Sequence, residues 1–282
     1  MIIEKAPAKI NLALDVLNKR EDNYHNLNMV MTTVDLYDTL KFEALDDDKI
    51  IIDCDKPFVP TDERNFVYKA ISIIKTKFNI YKGVKVIIKK QIPVSAGLAG
   101  GSSDAAAAIR ALNRLFKLNL TFQQMADIGA EVGSDVPFCV YNKTALVSGR
   151  GEFVNPLPKA PSCWVILAKP NFGVSTKEVF QNVNITNINH PNVQEVVEGI
   201  KKSDYKRVIN NLGNSLETVT FSLYPEVENL KEKVISLGAD AVLMSGSGPT
   251  IFGLTKKERK AKRIINSLDN RIYECYAVRL LG

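Results

Sequence analysis

The chain lacks most of the features that identify a protein at sight. Its four cysteines, Cys54, Cys139, Cys163 and Cys275, lie far apart and form no Cys-x-x-Cys pair. That spacing argues against a zinc site or a disulfide framework and for buried, reduced thiols. No apolar run approaches the roughly 18–20 residues that cross a bilayer. The opening Met1-Ile2-Ile3-Glu4-Lys5 lacks the basic-then-apolar order of a secretory signal. A cytoplasmic protein with no membrane partner is therefore expected. Charge of one sign does not dominate either: 37 Lys and Arg against 31 Asp and Glu leave +6. This mild excess suits a protein that handles phosphates but is too weak to argue for nucleic acid. The densest basic stretch, Lys256 to Arg263, leads into Ile264, Ile265 and Leu268. It reads as the solvated face of an amphipathic helix rather than a nucleic-acid patch. There is no repeat, no low-complexity tract, no Gly-Lys-Ser/Thr of a Walker loop and no Gly-x-Gly-x-x-Gly.

What is present is an ordinary globular mixture, 45% hydrophobic and 24% charged over 282 residues, enough for one large domain or two medium ones. Strand-like segments occur at Ile10 to Val16, Thr39 to Glu43, Lys49 to Asp53 and Val84 to Lys89. Helical patterns cover Asn65 to Phe78, Ser103 to Phe116 and Phe122 to Val132. A Pro-rich break, Asn155 to Pro161, is the best boundary, giving an N-terminal domain over 1–155 and a second over 160–282. After the break come a strand at Cys163 to Ala168, several helices, and strand-like runs at Ala241 to Met244 and Tyr273 to Leu280. The mixture points to α/β or α+β layering.

The most informative segment is Pro93-Val94-Ser95-Ala96-Gly97-Leu98-Ala99-Gly100-Gly101-Ser102-Ser103-Asp104. It follows a strand and opens a helix, so free backbone N–H groups and the positive end of a helix dipole gather where an anion can bind. Ser102 and Ser103 offer hydroxyls that can cap the helix or meet phosphate oxygens. The plainer reading is a serine-capped helix behind a flexible turn. Two further segments favour the phosphate reading. Lys9 and Asn11 share one face of the strand in Ala6 to Leu12, although an exposed strand lysine is the plainer alternative. Met244 to Gly253 holds a small-residue turn, Ser245-Gly246-Ser247-Gly248, which is either a pocket wall or an ordinary strand connection.

Together these three segments resemble the three motifs of the galactokinase, homoserine kinase, mevalonate kinase and phosphomevalonate kinase (GHMP) superfamily, in order and across nearly the whole chain. Pro7 to Leu12, Asn23-Tyr24-His25 and Gly133 to Phe138 are similar to the branch of 4-diphosphocytidyl-2-C-methyl-D-erythritol kinases in the non-mevalonate isoprenoid pathway. The resemblance implies a two-domain α+β fold, with an N-terminal domain like ribosomal protein S5 domain 2 and a ferredoxin-like C-terminal domain. It implies ATP along the loop from Pro93 to Ser103, with Asn65 and Lys90 near the adenine. Lys9 and Asp135 match the catalytic pair, and Asn11, Tyr24, His25 and Phe180 match the substrate pocket. It also implies Mg²⁺ brought by ATP, with no protein ligand assigned, and a small-molecule substrate. A monomer or homodimer is expected. Two departures from the family pattern stand out, Asn23 and Ala99, both where glycine is usual. Asn tolerates a left-handed backbone better than most residues, whereas Ala99 needs either ordinary angles or some strain.

Those residues suit phosphoryl transfer, which asks a protein for alignment and charge stabilisation more than covalent chemistry. Asp135 can accept the hydroxyl proton, or it can be only the N-cap of the helix that Pro137 follows. Lys9 can offset charge on the γ-phosphate. Tyr24 and Phe180 can sandwich a pyrimidine whose edge His25 reads, or Tyr24 and His25 can be loop residues packing on the surface. Rival readings are a superfamily member acting on homoserine or mevalonate, and a nucleotide-binding relative that has lost catalysis.

Overall fold

The computed structural model describes residues 1–282, and the chain divides into two compact units, each entered more than once. The first holds Met1–Ala8, Leu36–Ile92 and Ala99–Asn142; the second holds Lys9–Asp35, Pro93–Leu98 and Lys143–Gly282. Two long strands, β1 (Ile2–Lys19) and β2 (His25–Leu45), contribute to both. The sequence pattern exposes only fragments of them. Every residue of β1 from Ala6 to Val16 is buried, so no polar face alternates with an apolar one. Lys9, Asn11 and Asp15 interrupt that apolar run and hide its length.

In the first unit, β2 pairs antiparallel with β4 (Gly83–Lys89) from Thr39↔Lys89 to Leu45↔Gly83. Beside β4 lies β3 (Ile50–Cys54), parallel to it. The helices α1 (Phe66–Lys77), α2 (Gly100–Leu115), α3 (Phe122–Val132) and α4 (Val136–Tyr141) pack on one another. The run Ala105 to Ala108 explains the central place of α2: it is fully buried, and small side chains let neighbouring helices approach closely. Local caps agree with the sequence. Thr121 and Gln124 form a reciprocal capping box on α3, and Asn65 caps α1.

In the second unit, the early part of β2 pairs antiparallel with β5 (Ala145–Gly149), which pairs with β6 (Phe153–Pro156). The first residues of the Pro-rich break, Asn155 and Pro156, thus lie in a strand facing Leu146 and Ala145. Downstream come β7 (Trp164–Pro170), α5 (Thr176–Gln181), α6 (Val193–Lys201), α7 (Tyr205–Asn210) and β8 (Gly213–Asn214). They are followed by α8 (Glu217–Leu223), α9 (Pro225–Ser236), β9 (Ala241–Met244), β10 (Ile251–Thr255), α10 (Glu258–Asn266) and β11 (Tyr273–Arg279). Four of the strands form an antiparallel sheet in the order β11-β7-β10-β9. The basic stretch forms α10, with Ala261 and Ile264 buried against that sheet and the charges outward. The two-residue β8 runs parallel to β1, matching Ala13 with Gly213 and Leu14 with Asn214.

Candidate active site

Three segments that are remote in the sequence converge within the second unit. Lys9, on β1, is 4% exposed; its Nζ donates to Asn11 Oδ1 at 2.8 Å, and Asn11 Nδ2 reaches Met29 Sδ at 3.5 Å. The Lys9 backbone N–H donates to Leu98 O at 3.1 Å, fastening β1 to the glycine loop. Ser245 Oγ donates to Gly97 O at 2.9 Å, which ties the same loop to the small-residue turn. That turn is held in place by Asn214, whose Nδ2 donates to Met244 O at 2.9 Å and Gly246 O at 2.8 Å. A Cβ at Gly246 would sit 3.1 Å from Lys9 Nζ, so glycine there makes room for the ammonium. The small-residue turn is a wall around Lys9 and the loop, not a bare connection. Asn214 gave no signal in the sequence, because its strand is two residues long.

At the first-unit end of the loop, α2 begins at Gly100, three residues before the expected start. Its N-cap is Ala99, at φ 56° and ψ 32°, with no side-chain acceptor for the helix. The N–H groups of Gly100, Gly101 and Ser102 are thereby left without a capping side chain, as an anion site at a helix start requires. The early start also explains Ser103. As the fourth residue of α2 it faces inward, is 1% exposed, and donates its hydroxyl to Pro7 O at 2.8 Å. Its hydroxyl therefore does not cap the helix, and the neighbouring Ser102 is half-buried rather than buried. Ala99 takes the strained alternative rather than ordinary angles. Ala99→Gly is expected to raise the unfolding free energy by roughly 0.5–1 kcal/mol, the left-handed strain outweighing glycine's added chain entropy. Urea unfolding followed by circular dichroism checks it; an unchanged or lower midpoint contradicts it.

Asp135 occupies the N-cap position of α4 with helical angles, φ −85° and ψ −12°, and makes no side-chain capping bond. The N-cap bond that the sequence offered as its alternative role is not made. Asn65 and Lys90 are spent differently. Asn65 accepts from Val67 N at 2.8 Å and donates to Pro60 O at 2.6 Å, while Lys90 Nζ binds Asp38 and Asp104. The Lys90 ammonium is thus turned to two carboxylates, and the Asn65 amide is tied to the chain through its oxygen and one N–H.

The residues expected to read a base stand in the second unit. Asn23 takes the left-handed conformation, φ 64°, in the turn that Arg20 N closes on Tyr24 O at 2.8 Å, so the usual glycine is replaced without loss of the turn. His25, 8% exposed, lies against Phe180 with ring centroids 5.5 Å apart and planes tilted by 31°. Burial, helped by the charge of Lys19, holds the His25 imidazole below its ordinary range. The ring is neutral near pH 7, with one donor and one acceptor nitrogen to offer. Tyr24 stays exposed, and the Arg150 guanidinium covers its ring at 4.8 Å from the centroid. Arg150 escaped the sequence reading, although Gly149-Arg150-Gly151 marks a tight turn. Phe180 thus meets His25 in this arrangement, while Tyr24 meets Arg150.

The profile of the N-terminal domain of GHMP kinases matches residues 65–143, and that of their C-terminal domain matches 196–274. A 4-diphosphocytidyl-2-C-methyl-D-erythritol kinase of Bacillus pumilus is 55% identical over 281 residues, covering 100% of this chain and 97% of the relative. The chain belongs to the GHMP kinase family. Among solved GHMP kinases, a 4-(cytidine 5'-diphospho)-2C-methyl-D-erythritol kinase superposes with a TM-score of 0.85 at 30% identity, over 100% of both chains. The homoserine kinase of Cytophaga hutchinsonii, at 20% identity and a TM-score of 0.79, covers 99% of this chain and 94% of its own and shares the fold. The two-domain α+β GHMP kinase fold is the one this chain adopts, and it is a small-molecule kinase. No helix is long and apolar enough to cross a membrane.

Proposed function

We infer that the chain transfers the γ-phosphate of ATP to the 2-hydroxyl of 4-diphosphocytidyl-2-C-methyl-D-erythritol, giving the 2-phosphate and ADP. The observation that carries the reading is the uncapped start of α2 behind a loop fastened to Lys9. It sits in a chain that matches relatives named for this reaction over its whole length. In this reading the loop from Pro93 to Ser103 holds the phosphates, with the backbone N–H groups of Gly100, Gly101 and Ser102 donating to them. Asn65 and Lys90 support the adenine end by holding the fold around it. The functional division follows 1–155, with the phosphate loop, and 160–282; the two family profiles fall on either side of that break.

Lys9 and Asp135 act as the catalytic pair. Asp135 takes the proton of the acceptor hydroxyl and keeps that hydroxyl in line with the γ-phosphate. The Lys9 ammonium offsets the charge that spreads over the transferring group. Asn11 keeps that ammonium oriented through its 2.8 Å hydrogen bond. Magnesium accompanies the nucleotide. The ion is held mostly by phosphate oxygens and water. Of the two serines in the first turn of α2, Ser103 is committed to Pro7 and Ser102 has the hydroxyl to offer. When bound, the ion neutralises charge on the β- and γ-phosphates.

His25 reads the cytosine edge, with Phe180 and Tyr24 supplying the aromatic surface and Asn11 a polar contact. A site built to pair with such an edge rejects acceptors without it, because its buried polar groups are left unpaired. The depressed pKa of His25 sets the sign of a pH effect. As pH falls below about 6.5, the unfolded state takes up a proton before the folded ring does, so stability declines. Once the folded ring protonates, it loses its acceptor nitrogen. KM for the cytidine substrate is expected to rise on the acid side more than kcat falls, and His25→Gln is expected to flatten that rise. A KM–pH profile of both proteins measures it; parallel profiles contradict the role of His25.

The transfer itself is tested by phosphorus NMR of the product from ATP and the cytidine compound. A new phosphomonoester resonance with ADP supports the reading, and ADP with inorganic phosphate alone contradicts it. We also place the enzyme in the cytoplasm as a monomer or homodimer, which fractionation and light scattering check.

A further inference from the structure

We propose that Asp38, Lys90 and Asp104 form a buried staple that fixes the two ends of the glycine loop relative to each other. All three are then positioning residues for ATP; the proposal rests on the assignment of that loop to the nucleotide. Lys90 directly precedes the segment Gln91-Ile92 that leads into the loop, and Asp104 lies in α2 just after it. Lys90 Nζ donates to Asp104 Oδ2 at 2.7 Å and to Asp38 Oδ2 at 2.5 Å, joining the two sides through one ammonium. Asp38 Oδ1 accepts from the backbone N–H groups of Gln91 at 2.6 Å and Ile92 at 2.9 Å. A single carboxylate therefore grips both the lysine and the peptide that runs into the loop. Asp55 Oδ1 adds a bond from Lys90 N at 2.9 Å.

The packing leaves the staple little freedom. The Lys90 and Asp38 side chains are 4% and 0% exposed. A Cβ at Gly100 would come within 3.1 Å of Ile92 Cγ2 and 3.4 Å of Lys90 Nζ. The two ends of the loop thus touch at a glycine. The lysine, already bound by two carboxylates, has no reach left for a nucleotide.

Stability alone does not account for such a cluster. Buried ion pairs gain little over well-packed apolar residues of the same volume, and in some proteins they serve to fix one geometry. Here two carboxylates share one ammonium, and Asp104 Oδ1 is buried with no partner. An arrangement that leaves an oxygen unsatisfied is a poor stabiliser. It is a sound way to hold two backbone segments at one spacing.

The test compares wild type, Lys90→Met and Lys90→Met/Asp104→Asn by thermal melting and by steady-state kinetics with both substrates. Lys90→Met leaves two buried carboxylates without their cation, so it is expected to melt earlier. It is also expected to raise KM for ATP on the order of tenfold or more through misplaced phosphate contacts, with KM for the acceptor within about twofold of wild type. Removing the second charge in the double variant is expected to recover most of the melting temperature and none of the ATP affinity. Recovery of both together, an equal rise in both KM values, or an unchanged KM for ATP in Lys90→Met overturns the staple alone. Wild type that fails to bind ATP overturns the assignment of the loop, and the staple with it.

Discussion

Asp135→Asn is expected to lower kcat by about 10²–10⁴ with little change in ATP affinity or melting temperature. The size is that of a lost general base. The prediction can separate the carboxylate's two roles because its side chain makes no capping bond on α4. A capping aspartate would take roughly 1 kcal/mol of stability with it when removed. The amide replacement is nearly isosteric, so it removes the proton acceptor while keeping the shape of the side chain. Stopped-flow or steady-state kinetics beside a melting curve measure both quantities. Loss of stability with kcat preserved would return Asp135 to a structural role.

Gly97→Ala is expected to abolish most of the activity, by a factor on the order of 10² or more, while weakening the fold. Gly97 sits at φ +70°, and an added Cβ would lie 2.2 Å from Ser245 O and 2.9 Å from Gly248 O. The left-handed angle alone costs about 1–2 kcal/mol for alanine. The overlap with backbone oxygens cannot be relieved by turning a side chain, so the loop must leave the Ser245–Gly248 turn. Moving it breaks the Ser245 bond to Gly97 O and pulls on the Lys9 bond to Leu98 O. A shift near 1 Å at a phosphate site is enough for a hundredfold loss. Gly101→Ala is the contrast: its added Cβ meets only Phe66 Cδ2, at 4.0 Å. It is expected to melt at or above wild type, since alanine favours a helix over glycine. Equal behaviour of the two variants would contradict this account of the loop.

The parts of the fold that the sequence announced are those whose local signals agree with their burial. The helix from Phe122 to Val132 has a capping box, an amphipathic pattern and a glycine stop, and it was legible to the residue. The strand-like runs Ala241 to Met244 and Tyr273 to Leu280 correspond to β9 and β11, the second of which ends at Arg279. β1 and β2 were seen only in part, because burial on both faces, over Ala6 to Val16 and over Met29 to Val34, removes the alternation that reveals a strand. Helix α2 was placed three residues late. Glycines and a left-handed alanine do not look like helix starters, and Ser103 looked like a cap that it is not.

The site was legible as a list of residues more than as an arrangement. Lys9, Asn11 and the loop are joined as the motifs suggested, and His25 meets Phe180. Bonds made through main-chain atoms left no mark in the sequence, among them Asn214 to the Met244 and Gly246 carbonyls. Nor did partners separated by a long stretch of chain, such as Arg150 on Tyr24 or Asp38 on Lys90. Lys90 shows the cost of reading residue by residue: its ammonium is turned inward to two carboxylates, which no motif records.

The most direct test of the central claim is ADP release with Mg-ATP against four acceptors: the cytidine diphosphate methylerythritol, mevalonate, homoserine and galactose. Lys9→Ala and Asp135→Ala run alongside. The account predicts turnover of the cytidine compound alone, lost in both variants. Turnover of mevalonate, homoserine or galactose in its place would contradict the reading of His25 and Phe180, and no turnover by protein that binds ATP would contradict the assignment of a kinase reaction to this site.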